Sequence, residues 1–132
     1  MRLWHQSLIP YLPRQQLLGQ HRECCALRGK SWRRKHSTVD YVFTYPPAYL
    51  IAYHNLIMDE MEKRGYHPNS IWRYATYRGK ELGGDWPEDK WEVQCWRWIK
   101  ENNNPIYPEH NDEYLKECLE NLKNKGIEIN DT

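Results

Sequence analysis

The sequence predicts an all-α fold, one compact domain of about four helices joined by long loops. Three observations carry this. Apolar residues recur at helical spacing in four stretches. Proline opens, and glycine or asparagine closes, most of those stretches. A chain of 132 residues is one domain by length and can bury a single modest core.

Along the chain, Pro10 and Pro13 punctuate an extended N-terminal segment. Pro13 can start a helix because its missing N–H costs nothing there. From Pro13 to about Arg28 the pattern is helical, with Leu17, Leu18, His21, Cys24 and Cys25 on one face. Residues 29–45 read as a basic loop with Gly29, Ser31 and Ser37, which could run extended through Tyr41-Val42-Phe43. Pro46-Pro47 opens a second helix that turns Leu50, Ile51, Ile57, Met58 and Met61 inward and stops at Lys63-Arg64-Gly65. Pro68, Gly79, Gly83-Gly84 and Pro87 make residues 66–90 loop-rich. A third helix is expected over about 88–101, with Trp91, Cys95, Trp98 and Ile99 aligned, until Asn102-Asn103-Asn104-Pro105 breaks it. The last helix, about 110–125, buries Tyr114, Leu115, Cys118, Leu119 and Leu122 and stops at Gly126. Met61–Tyr66 is echoed by Leu122–Ile127, which two helix ends with shared stop chemistry explain better than a repeat.

Composition narrows the function classes. Seven Trp and ten Tyr stand against one Phe, aromatic bodies with polar tips suited to a core edge or a ligand. No apolar run approaches the ~20 residues that span a bilayer, and Met1-Arg2-Leu3-Trp4-His5-Gln6 lacks the apolar stretch of a signal peptide. A cytoplasmic protein with Cys24, Cys25, Cys95 and Cys118 as reduced thiols is the expectation. The net charge of +1 hides an asymmetry: residues 1–40 carry eight Arg/Lys against Glu23 and Asp40, and the rest carry eleven against sixteen acids. A basic end on an acidic chain fits an anionic partner such as a phosphate backbone, although charges of this kind are also an ordinary solvated surface. No glycine spacing fits a phosphate-cradling loop.

Glu23 lies off the apolar stripe of its helix, with Gly19 one turn away. A mid-helix Gly costs roughly 1 kcal/mol against Ala, which suggests that another backbone segment approaches there, with the N-terminal segment the candidate. Taken alone, a Glu on a helix is most often a solvated carboxylate. His21 and His54 read as hydrogen-bonded core histidines. Adjacent Cys24 and Cys25 beside His21 do not match zinc-knuckle spacing, so buried thiols are expected and no metal. Trp91, Trp96 and Trp98, with Trp72 and Trp86, could form a base-stacking platform, but Trp91 and Trp98 at helical spacing read first as core.

An ordered set of motifs changes the weight on Glu23. Leu12-Pro13-Arg14-Gln15-Gln16-Leu17 leads into Arg22-Glu23, and Arg34-Lys35-His36 follows about ten residues later. A looser match runs through Pro47–His54 and Glu62–Tyr66, with a trace at Ile106–His110. Together these resemble the pyrimidine-dimer DNA glycosylase family, firmly over about residues 1–66. The resemblance implies a metal- and cofactor-free glycosylase with lyase activity, acting as a monomer on double-stranded DNA with damaged bases or abasic sites. In that family an N-terminal amine captures C1′ of the sugar while a glutamate, here Glu23, stabilises the sugar cation. An ordinary α-amine, pKa about 7.7–8.0, is roughly a tenth neutral at pH 7, far more than an ordinary Lys. The phage enzyme of this family loses its initiator Met and uses a small residue. Here Arg2 is too large for the usual trimming, so Met1 is expected to stay and supply the amine, with Arg2 supplying it otherwise. Arg2, Arg22, Arg28, Arg33, Arg34, Lys35 and His36 are expected to hold DNA phosphates. Two readings stand beside this one: a glycosylase of the same type acting on another lesion, and a non-catalytic nucleic-acid-binding module.

Overall fold

The computed structural model describes residues 1–129. Its order is α1 (Arg14–Arg28), α2 (Pro47–Lys63), α3 (Lys90–Gln94), α4 (Trp96–Asn102) and α5 (Asp112–Asn124), with short 3-10 turns at Gln6–Tyr11, Asp40–Thr44 and Ser70–Arg73. The fold is all-α, as predicted. The Tyr41-Val42-Phe43 stretch lies in a 3-10 turn rather than an extended run. The third expected helix is two, parted at Cys95.

α2 is the central element, and its composition explains why. It presents apolar side chains on nearly every face, with eleven buried residues from Pro47 to Met61. α1, α3, α4 and the Gln6–Tyr11 turn all pack against it. Pro47 occupies its first turn. At its end Gly65 adopts φ +88, and the Tyr66 and Gly65 N–H groups bond back to the Met61 and Glu62 carbonyls at 2.9 Å each. α5 ends the same way. Gly126 has φ +81, and the Ile127 and Gly126 N–H groups reach the Leu122 and Lys123 carbonyls at 2.9 Å. Both are left-handed glycine stops that satisfy otherwise orphaned carbonyls, which accounts for the sequence echo.

The inner face of α1 differs from the expected stripe. Leu17, Gln20, Cys24, Leu27 and Arg28 are buried, whereas Leu18, His21 and Cys25 are only partly so. Two polar residues therefore lie among the core positions, and both are hydrogen-bonded. The C-terminus of α1 meets the 72–78 segment. Arg78 donates to the carbonyls of Arg28 (2.7 Å) and Gly29 (3.2 Å), satisfying groups that a helix end leaves open. The Arg78 carbonyl would lie 2.9 Å from a Cβ at position 29, so glycine is required there by close backbone approach. Gly19 has no such reason: only the Arg22 side chain comes within 4 Å of its Cβ position.

The aromatic residues divide in a way that reverses the expectation. Trp32 packs edge-on against Phe43 and Trp86, and Trp72 packs against Tyr77. Trp91 and Trp98, expected in the core, are 75% and 62% exposed. Val93 and Ile99 face inward instead. Among the described residues no helix is long and apolar enough to cross a membrane.

Candidate active site

The N-terminal segment does pack against the helix that carries Glu23, at Gln20 rather than at Gly19. Leu3, Trp4 and His5 are buried. The Gln20 carboxamide uses both ends on this segment: its Oε1 accepts from the Trp4 N–H at 2.7 Å, and its Nε2 donates to the Arg2 carbonyl at 2.9 Å. The same Nε2 donates to Glu23 Oε2 at 3.0 Å. From α2, the Tyr53 hydroxyl donates to the Trp4 carbonyl at 2.6 Å and stands 3.0 Å from Gln20 Oε1. The Tyr114 hydroxyl of α5 donates to the Leu3 carbonyl at 2.5 Å, and the Thr38 hydroxyl donates to the Met1 carbonyl. The first four residues are thus held from α1, α2, α5 and the 29–45 loop.

This arrangement leaves a pocket of about 270 Å³ lined by Met1, Arg2, Trp4, Glu23, Thr38, Asn121 and Lys125. Glu23 is half-buried in it. Burial pushes its carboxyl above the ordinary range, and the N-terminal ammonium, the Arg2 backbone N–H, Arg22 and Gln20 pull it back. Those opposing influences are what a carboxylate needs to face a developing cation: little water, and donors that fix its orientation.

The expected phosphate ligands separate into three groups. Arg22, Arg33, Arg34, Lys35 and His36 are exposed. Arg33 is already engaged with Glu88 at 2.5 Å. Arg2 is half-buried beside the Tyr114 ring, 3.7 Å from Glu117. Arg28 is a correction: its exposure is 0%, so it cannot meet a phosphate. Its guanidinium donates to the carbonyls of Trp72 (2.8 Å), Tyr74 (2.7 Å) and Tyr77 (2.9 Å). The sequence around residue 28, at the end of α1, gives no hint of these acceptors, which lie more than forty positions away.

Asn121 and Lys125 were not anticipated, and neither were Gln20, Tyr53 and Thr38. A signal existed for some of them. Asn121 and Lys125 fall at i+3 and i+7 from buried Cys118, and Gln20 at i+3 from buried Leu17, polar residues at core-facing intervals. The acidic C-terminal helix accordingly supplies one amide and one cation to the pocket.

A second cluster lies on the same helix. His21 and Cys25 of α1 and His54 of α2 bring their ligand atoms within 4.8 Å of one another. The protons argue for a hydrogen-bond chain there. A guanidinium only donates, so His54 Nδ1, 3.0 Å from Arg28, is the acceptor. The His54 proton then sits on Nε2 and is donated to His21 Nδ1 at 2.8 Å. The remaining His21 proton, on Nε2, faces Cys25 Sγ at 3.9 Å. A metal would need the lone pair that His54 Nε2 has committed to a proton, beside a buried cation. Burial, followed by Arg28, holds the His54 imidazole well below its ordinary pKa. Burial also pushes the Cys25 thiol up to about 12, which leaves it unreactive. Cys24, the other cysteine of the pair, points into the core.

Neither the curated proteins nor the solved structures yield a match to this chain. A family model described as pyrimidine dimer DNA glycosylase matches residues 1–74, a span that holds Met1, Gln20, Glu23, the exposed basic cluster and all of α2. The chain therefore belongs to the pyrimidine dimer DNA glycosylase family.

Proposed function

We propose that the protein excises damaged bases, pyrimidine dimers first among them, from double-stranded DNA and then cleaves the strand as a lyase. The observation that carries this reading is the shared pocket of Met1 and Glu23, walled by Arg2 and Lys125. In the reaction the neutral terminal amine attacks C1′ of the damaged nucleotide. The glycosidic C–N bond breaks with its electron pair leaving on the base, and the attacking nitrogen releases a proton. The lone pair of that nitrogen then expels O4′, which takes up a proton as the sugar ring opens. The resulting iminium loses a C2′ proton, and the 3′ phosphate departs with the C–O electron pair. Glu23 stabilises the cationic sugar through the first step and carries protons in the second. Its raised pKa suits it to carry a proton between the two steps.

Met1, whose ammonium faces Glu23 in the pocket, is the proposed nucleophile. The backbone N–H of Arg2 already lies against Glu23, so removal of Met1 would turn that nitrogen into the terminal amine at the same carboxylate. Exposed Arg22, Arg34, Lys35 and His36 would neutralise phosphates flanking the lesion, with Lys125 reaching the sugar–phosphate inside the pocket. The expected state is a monomer, and the chemistry calls for no metal or cofactor.

Borohydride trapping on duplexes carrying an abasic site or a pyrimidine dimer tests this. Covalent adducts that disappear in Glu23→Gln support the enzyme. DNA binding without an adduct on either substrate contradicts it and favours a non-catalytic DNA-binding module. Adducts on abasic DNA without excision of dimers would keep the chemistry and change the lesion.

A further inference from the structure

Resting on that reading, we infer that Gln20 is a positioning residue: its single carboxamide holds the start of the chain and the Glu23 carboxylate in one register. The residue is 1% exposed, and three of its four hydrogen-bonding positions are engaged, both amide protons and one lone pair of the oxygen. Nε2 spends one proton on the Arg2 carbonyl (2.9 Å) and the other on Glu23 Oε2 (3.0 Å). Oε1 takes the Trp4 N–H (2.7 Å) and faces the Tyr53 hydroxyl (3.0 Å).

No other residue could bridge these partners with one group. The two backbone contacts, the Arg2 carbonyl and the Trp4 N–H, lie two residues apart. Binding both fixes the path of the backbone immediately after the amine. The third contact fixes one oxygen of Glu23. An amide is the one common side-chain end that offers two donors and an acceptor at this reach. A glutamate would set a carboxylate against both Glu23 and the Arg2 carbonyl, and an apolar residue would leave the Trp4 N–H unpaired in the core. Gln20 touches no substrate in this arrangement. It acts through the geometry of the amine and the carboxylate, where a misplacement of about 1 Å can cost about 10²-fold in rate.

The test is single-turnover borohydride trapping on abasic duplex DNA, with DNA affinity and melting temperature measured on the same proteins. Gln20→Met and Gln20→Glu are the variants. The expected result is a trapping rate at saturating DNA lowered about 10²-fold, with the dissociation constant changed less than about threefold. Gln20→Glu adds a readout that mere structural damage would not give. As pH falls through the range of that carboxyl, which burial and the facing Glu23 carboxylate raise above the ordinary glutamate value, its protonated form can again donate one hydrogen bond. Its rate relative to the unmodified protein should then rise as pH falls. Glu23 is faced in both proteins by the N-terminal ammonium and Arg2 from the N-terminal segment, Arg22 from α1 and Lys125 just past the end of α5, and the introduced carboxyl is the one titrating group that differs. Trapping by folded Gln20→Glu at the unmodified rate, or a deficit that follows only DNA affinity or melting temperature, would overturn the positioning role. Absence of any adduct from the unmodified protein would instead overturn the N-terminal amine reading on which it rests.

Discussion

Glu23 and Arg28 sit five residues apart on one helix, each an ionisable side chain half or wholly withdrawn from water, and they do opposite things. Glu23 lies at the edge of a pocket and keeps one carboxylate oxygen free of hydrogen bonds from other side chains. Arg28 is sealed under Trp72 and committed to three backbone carbonyls and a histidine. Reactivity here depends on how many of a group's partners are already supplied by the protein, more than on residue type. Arg28, with both terminal nitrogens engaged and only its buried Nε without a partner, is structure, whereas a partly satisfied carboxylate at a pocket edge is available for chemistry.

The largest effect that could break this contrast is on Glu23. Glu23→Gln should lower excision and trapping by about 10²–10⁴-fold, the span typical of a lost acid–base group. It should cost no stability at pH 7. The folded-state pKa is raised, so the ionised carboxylate is penalised by folding at neutral pH, and that penalty disappears as pH falls through the folded value. Chemical denaturation of the two proteins checks the second half.

Arg28→Met should do the reverse. Three carbonyls and His54 would lose their donor, at a cost of about 3 kcal/mol or more in unfolding free energy. DNA affinity of the folded fraction should stay unchanged. Weakened DNA binding at temperatures where the variant is fully folded would return Arg28 to the interface.

Acid should strike the buried side of the molecule. His110 is 2% exposed, accepts the Gln6 N–H on Nδ1 at 3.0 Å and stands 2.8 Å from the Tyr41 hydroxyl. Burial, with His5 beside it, holds its pKa down to about 3. Below about pH 6.5 the unfolded chain takes up a proton that the folded chain refuses, so stability is lost as pH falls. By pH 5 the loss from His110 alone is about 2 kcal/mol. His54 and His21, also shifted down, should add to it. Urea denaturation between pH 7 and pH 5 measures the slope, and a flat profile would contradict the assigned protonation states.

The smallest effect belongs to the exposed cluster. Arg34→Ala or Lys35→Ala should reduce the salt dependence of DNA binding by about one in log–log slope each, without changing stability. Arg33→Ala should change it less, because Glu88 already engages that guanidinium.

The helices were legible in the sequence because their boundaries are local chemistry. Pro47 and the glycine stops at Gly65 and Gly126 act through their own backbone angles. Glu23 was legible through the Arg22-Glu23 pair in an ordered set of motifs. Gln20 and Arg28 were not, since their roles depend on acceptors supplied by distant segments, Trp4 and Tyr53 for one and residues 72–77 for the other. Trp91 and Trp98 misled for a related reason. Helical spacing says which residues share a face, and the kink between α3 and α4 decides that the inward face is Val93 and Ile99.

The central claim is that the amine at the start of the chain attacks the sugar beside Glu23. It is tested most directly by adding a few residues before Met1 and measuring borohydride trapping on abasic and ultraviolet-irradiated DNA. The account predicts that the extended protein binds DNA with nearly unchanged affinity and forms no adduct, and that adduct formation returns when the extension is cleaved to expose Met1. Full trapping by the extended protein would contradict it.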